Sequence, residues 1–192
     1  LTIDQIGATN KVGTSQARVT LSGTSMTVDL DQIGDTNTFA ATIAQGNSSS
    51  FTYKATGDSN TAAITAGGTG DVAGTDFDFE ATGDSNALTF TQGDAATATG
   101  GNQDFVVTGT SNDINAKCNV IGCINSWTVS GNSNDIDTVQ SGRQDHDITV
   151  VLTGSSNNVD VDQTDTASTN VANIISTTTT GTINIDQCAS GC

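Results

Sequence analysis

The sequence predicts an all-β fold: a β-solenoid of about seven to eight two-stranded coils of 22–27 residues each, running as a single domain over residues 1–192. Three observations predict it. A tetrapeptide, Gly-x-Ser/Thr-Asn, recurs at nearly even spacing. Apolar residues keep fixed offsets from each copy. The chain contains no proline.

The tetrapeptide occurs at Gly7–Asn10, Gly34–Asn37, Gly57–Asn60, Gly83–Asn86, Gly109–Asn112, Gly131–Asn134 and Gly154–Asn157, with successive glycines 27, 23, 26, 26, 22 and 23 residues apart. A repeat of that length is one supersecondary unit that cannot bury its own core and must stack on its neighbours. Glycine supplies positive φ without steric cost, and asparagine tolerates the left-handed region while bonding nearby backbone, so each copy reads as a tight turn. The alternative is a β-sandwich that reuses a common turn, but a sandwich requires neither a fixed period nor matched apolar columns. The absence of proline suits a chain made almost wholly of internal strand, where proline would delete a ladder donor.

Four positions before each glycine stand Ile3, Leu30, Tyr53, Phe79, Phe105, Trp127 and Val150, and two positions before stand Gln5, Gln32, Ala55, Ala81, Val107, Val129 and Leu152. The intervening residues are mostly polar, which is the period-two alternation of a half-buried strand. Five positions after each glycine come Val12, Phe39, Ala62, Leu88, Ile114, Ile136 and Val159, opening a second strand. That strand runs to a second turn marked by Gly23, Gly46, Gly68, Gly93, Gly122 and Gly142, which follow the main glycines by 16, 12, 11, 10, 13 and 11 residues. Stacked coils place equivalent side chains above one another, so Tyr53, Phe79, Phe105 and Trp127 are expected to form an inner column. Asn10, Asn37, Asn60, Asn86, Asn112, Asn134 and Asn157 are expected to form a hydrogen-bonded ladder at one corner, with the Ser/Thr column doing the same. Loop insertions are expected near 70–76 and 95–101, and an irregular final coil over 165–192, where Ser176–Thr180 reads as a low-complexity bridge.

The formal net charge is -16, from 5 Lys/Arg against 21 Asp/Glu. Nucleic acid and anionic membrane surfaces are therefore poor partners, and no apolar run is long enough to insert into a membrane as a helix. The chain starts at Leu1 without a leader-like segment, so it is read as a processed or incomplete chain. The four cysteines fall into two local pairs, Cys118/Cys123 and Cys188/Cys192. Disulfides that close short loops are favoured over a four-thiolate metal site, and they place the protein outside the cytosol.

The block Met26–Gln45, containing Gln32-Ile33-Gly34-Asp35-Thr36-Asn37 and a second glutamine at Gln45, resembles the repeat of curli subunits, in which Gln-x-Gly-x-x-Asn is followed by another Gln about once per coil. Leu1–Asn10 matches the first half of that repeat. In the first strand the inward glutamine is kept only at Gln5 and Gln32, and later repeats carry Ala, Val or Leu there. The resemblance implies a secreted, amyloid-type subunit that builds extracellular fibres in a biofilm matrix.

The expected function follows from the ends. Leu1-Thr2-Ile3-Asp4-Gln5-Ile6 is already a repeat strand, and Ile183-Asn184-Ile185-Asp186-Gln187 has nearly the same pattern. Leu1, Ile3 and Gln5 at one end and Ile183, Ile185 and Gln187 at the other are the expected self-assembly residues, giving a head-to-tail homopolymer by strand stacking. The other readings are a monomeric or tip-located solenoid adhesin of phage or bacterial type and an ice- or carbohydrate-binding face. The last would need regular Thr-x-Thr rows, and none is sustained. No cofactor motif is present. Asp35, Asp58 and Asp84 share the turn corner and are the candidates for loosely bound divalent cations, against the reading that they are turn residues splayed into water. An enzyme is not expected. The single histidine, His146, stands between Asp145 and Asp147 in a stretch that reads as a solvated turn or strand edge.

Overall fold

The computed structural model describes all residues except 8, 15, 46, 68–72, 94–101, 120–122, 143–145, 166–169, 179 and 190–192. The second-turn glycines Gly46, Gly68 and Gly122, the insertion at 95–101, part of that at 70–76, and Cys192 lie outside the described residues.

The chain is all-β, and the described residues contain no helix. In order the strands are β1 (Thr2–Ile6), β2 (Lys11–Val12), β3 (Val19–Ser22), β4 (Thr27–Ile33), β5 (Thr38–Gln45), β6 (Ser50–Thr56), β7 (Thr61–Ala66), β8 (Asp76–Thr82) and β9 (Ala87–Gln92). They continue as β10 (Asn102–Thr108), β11 (Asp113–Cys118), β12 (Ile124–Ser130), β13 (Asp135–Gly142), β14 (Asp147–Gly154), β15 (Asn157–Asp165), β16 (Val171–Thr178) and β17 (Gly181–Ala189). Apart from β2 and β3, which both pair with β5, successive strands alternate between two parallel sheets. The first runs β1-β4-β6-β8-β10-β12-β14-β16. The second runs β17-β15-β13-β11-β9-β7-β5-β2, with β3 also pairing with β5. This is a β-solenoid. About six turns, β4/β5 to β14/β15, are enclosed by a neighbour on both sides. That is fewer than the seven to eight coils expected, because the outermost turns each have a neighbour on one side only.

Register is set by the columns read from sequence. Leu30, Tyr53, Phe79, Phe105, Trp127, Val150 and Ile174 pair in succession across the first sheet. Val12, Phe39, Ala62, Leu88, Ile114, Ile136, Val159 and Ile183 do so across the second. A slip of one residue would turn every one of these side chains into water, so the alternation fixes the register. Phe105 and Trp127 stack with ring centroids 3.9 Å apart, and Phe79 and Phe105 with 4.9 Å. Phe90 of the second sheet closes against Phe77 and Phe79, tying the two sheets through one aromatic cluster.

Two features depart from the sequence reading. The second strand of the first turn is broken into β2 and β3 by residues 13–18, an insertion that accounts for the 16-residue spacing of Gly7 and Gly23. The final turn, expected to be irregular, pairs continuously: β17 matches β15 from Asn157/Gly181 to Asp165/Ala189. The Gly-x-Ser/Thr-Asn turn is lost there, but the alternation Ile183-x-Ile185-x-Gln187 keeps the register, and Ser176–Thr178 belongs to β16.

Candidate functional site

Each tetrapeptide turn contributes the same corner. Its glycine has φ between 116° and 137° at Gly34, Gly57, Gly83, Gly109, Gly131 and Gly154. A Cβ on Gly57 would lie 2.6 Å from the Gly34 carbonyl oxygen, so glycine is required both for its dihedral and for the approach of the next turn. The residue in the left-handed region is the Ser/Thr, with φ of 61° at Thr36 and 59° at Ser85, and not the asparagine as expected. The asparagine is turned inward instead and is buried at Asn37, Asn60, Asn86, Asn112, Asn134 and Asn157.

Buried amides need partners, and the asparagines find theirs across the turns and, at Asn37, Asn60 and Asn86, also within their own turn. Asn37, Asn60 and Asn86 donate their backbone N–H to the side-chain oxygens of Asn60, Asn86 and Asn112 at 2.9, 2.9 and 2.8 Å. Asn10 donates in the same way to Asn37, Asn112 to Asn134 and Asn134 to Asn157, each at 3.0 Å. The side-chain Nδ2 of Asn60 donates back to the Gly57 carbonyl at 2.6 Å, and Asn86 to Gly83 at 2.8 Å. Direct amide-to-amide bonds are added at Asn112–Asn134 and Asn134–Asn157. The neighbouring Ser/Thr column is joined by backbone, as in Ser59 N–H to the Asp84 carbonyl at 2.9 Å, with a hydroxyl contact at Ser156–Thr180.

Asp35, Asp58 and Asp84 share this corner. Asp35 Oδ1 accepts the Asp58 N–H at 3.1 Å, Asp58 Oδ1 accepts that of Asp84 at 2.7 Å, and Asp84 Oδ1 accepts that of Thr110 at 2.6 Å. Each carboxylate therefore serves a backbone amide of the following turn. No group of three or more His, Cys, Asp or Glu placed to hold a metal ion occurs among the described residues.

The second corner uses other acceptors in the same way. Ser49 Oγ accepts the Met26 N–H at 2.9 Å, and His146 Nδ1 accepts the Cys123 N–H at 3.2 Å. His146 is fully buried, which corrects its reading as a solvated turn residue: it sits inside the corner, and its exposed neighbour Asp147 points outward. Cys118 and Cys123 form a disulfide across this corner, both fully buried. Cys188 is also disulfide-bonded.

Buried glutamines were under-read from sequence. Besides Gln32, the residues Gln92, Gln103, Gln140 and Gln163 are fully buried. Gln163 Nε2 donates to Gln140 Oε1 at 2.7 Å and Gln187 Nε2 to Gln163 Oε1 at 2.6 Å, a ladder at the end of the second sheet. The readable signal was a glutamine four residues after Leu88, Ile136, Val159 and Ile183. In the first sheet Gln32 donates to Gln5 at 2.8 Å and accepts the Tyr53 hydroxyl at 3.0 Å. Burial raises the Tyr53 pKa, keeping that hydroxyl a donor.

The end faces hold the residues expected to self-assemble. Ile183 and Ile185 are 41 % and 39 % exposed, whereas Val159 and Val161, which they pair with, are 0 % exposed. At the other end Leu1 is 60 % exposed, Ile3 is half-buried, and no described strand lies outside β1.

Charge is unequal along the solenoid. The outward face of the second sheet is acidic from β11 onward, through Asp113, Asp135, Asp137, Asp160, Asp162 and Asp186. Partial burial, followed by the neighbouring carboxylates, raises the pKa of Asp137 and Asp162, and the same causes act on Asp31 and Asp78 in the first sheet. Earlier turns of the second sheet present Thr61, Ala63, Thr65, Ala87, Thr89 and Thr91 outward, with no charge. Lys54 and Glu80 pair on the first sheet at 2.9 Å. No protein-family model, curated protein or solved structure matches this chain.

Proposed function

We propose that the chain is a structural subunit of an extracellular filament, polymerising head to tail by β-strand stacking. The carrying observation is the continuity of the columns. Ile183 and Ile185 occupy column positions whose interior members are buried, and they are left about two-fifths exposed. A further turn laid on β16 and β17 would cover them, and the columns supply that turn as Leu1, Ile3, Val12, Val19 and Leu21 of a second copy. Covering the two-fifths of each isoleucine still exposed is worth about 1 kcal/mol, and the unpaired strand edges add main-chain hydrogen bonds. A contact between two different surfaces that does not close on itself makes an open filament. The buried Cys118–Cys123 disulfide supports an oxidising, extracellular setting.

Electron microscopy of the purified protein tests the reading. Eight strand layers at ~4.8 Å give filaments with an axial rise of roughly 35–40 Å per subunit. Chains lacking residues 1–12 should fail to extend intact ones. A population that stays monomeric at high concentration, or elongation unchanged by the truncated chain, overturns the reading.

A further inference from the structure

Resting on the head-to-tail reading, we infer that the joint between copies is charge-matched on the second sheet: Arg18 of one copy is received by the carboxylates of Asp160, Asp162 and Asp186 of the copy before it, and Lys11 adds positive charge beside it on the same edge.

The register places these groups. Across the outward face of the second sheet, Thr20 pairs with Thr42, and that column continues through Thr65, Thr91, Lys117 and Val139 to Asp162 and Asp186. Arg18 directly precedes Val19, which pairs with Ala41, so it stands at the outward place of Ala40. The Ala40 column ends in Asp137, Asp160 and Asn184. When a second copy continues the ladder, its Thr20 follows Asp186, its Arg18 follows Asn184, and its Lys11 follows Thr182. The guanidinium thus arrives beside three carboxylates, with Asp186 on the diagonal and Asp160 one layer beyond.

The distribution of charge is what makes this joint specific. The chain has five Lys/Arg, and two of them, Lys11 and Arg18, fall in the second-sheet half of the first turn. The acidic half of that sheet lies at the opposite end. Asp162 is already crowded by Asp160 and Asp186, which raise its pKa after burial, so an arriving cation relieves a repulsion present in the separate subunit. On the first sheet the same register sets Asp4 against Ile175 and Thr2 against Asn173, so no like charges face each other there. Arg18 now lies along its own sheet, with Nη1 donating to Thr65 Oγ1 at 2.7 Å and to the Ala41 carbonyl at 3.4 Å, and the exposed bond to Thr65 is one that it can exchange for a carboxylate. Two copies of net charge -16 repel at long range. A local match of opposite charge selects the one approach in which the ends meet.

Seeded elongation of the intact chain tests it. Arg18→Glu and Lys11→Glu are compared with Lys117→Glu, which makes the same change in net charge at an exposed mid-sheet position. Thermal melts establish that each variant folds, and Lys11→Glu serves if Arg18→Glu does not. At low ionic strength Arg18→Glu and Lys11→Glu should elongate on the order of tenfold more slowly than Lys117→Glu, with the gap closing at high salt. The double variant Arg18→Glu/Asp186→Lys should recover elongation. Equal rates for the folded joint and control variants, or no recovery in a folded double variant, overturn the charge-matched joint while leaving the filament in place. A wild-type chain that forms no filament overturns both.

Discussion

Trp127 lies flat on Phe105, with ring centroids 3.9 Å apart and planes 6° from parallel, and both rings are buried to within 1 %. The pair sits in β12 and β10, in the turns flanking the 95–101 and 120–122 segments, and it continues the aromatic column built by Tyr53 and Phe79. The indole Nε1 has no acceptor among the described residues, so the ring serves as packing volume rather than as a polar anchor.

Trp127→Ala should therefore cost about 3–5 kcal/mol through cavity formation. Trp127→Phe should cost much less, because it keeps the stack and removes a buried donor that lacks a partner. Chemical denaturation of the two variants side by side checks the ordering.

At the asparagine corner, Asn86→Asp keeps an oxygen for the Asn60 N–H but loses the donor to the Gly83 carbonyl. It also buries a charge. A loss of about 2–3 kcal/mol is expected at neutral pH, and Asn86→Ala should cost a similar amount by leaving the Asn60 amide unpaired. Amide hydrogen exchange at Asn60 reports the broken rung directly.

Gly83→Ala tests the turn. Its φ is 125°, and an added Cβ would lie 2.7 Å from the Gly57 carbonyl carbon, so the backbone of one turn must move away from the other. The expected cost is about 3 kcal/mol. In contrast, Ser85→Gly, at φ 59°, should be tolerated or mildly stabilising, because it removes the left-handed penalty. The melting temperature of Gly83→Ala should fall well below the parent's, and that of Ser85→Gly should stay level or rise.

Stability should fall as pH rises from about 4 toward neutrality. The pKa values of Asp31, Asp78, Asp137 and Asp162 are raised in the folded chain above the ordinary 3.8, so between those values the native state holds more protons than the unfolded one. Stability is then fully present below 3.8 and is lost as pH rises through the raised values. Asp162→Asn should raise the melting temperature near pH 7 and flatten its pH dependence. A melt that is most stable at neutral pH contradicts this.

The solenoid was legible in the sequence because the offsets of Tyr53, Phe79, Phe105 and Trp127 from their glycines never vary, and stacking converts constant offset into contact. The details that escaped are those in which several residue types satisfy one geometric demand. At the second corner the demand is for an inward acceptor, and Ser49 and His146 both supply it, so no single letter repeats. The flanking aspartates then made His146 read as solvated. Similarly, the inward glutamines moved from the first strand to the second, from Gln5 and Gln32 to Gln140, Gln163 and Gln187, and a search at one offset sees only half of them. The left-handed place passed to Ser/Thr because the asparagine side chain was committed inward, which the motif alone does not reveal. Arg18 was invisible as a site because its meaning depends on a column that ends more than a hundred residues later.

The main corner is sewn in two opposed senses. Along the asparagine row, each amide reaches forward to the following turn, as from Asn60 to Asn86, whereas along the aspartate row the later turn reaches back, as from Asp84 to Asp58. From the Gly34 turn to the Gly109 turn, where both rows run, such a seam works like a lockstitch: a tear travelling from either side meets an intact thread. Gly181 takes the asparagine's place in the last turn, so the stitching stops one layer short, and peeling under load should begin there.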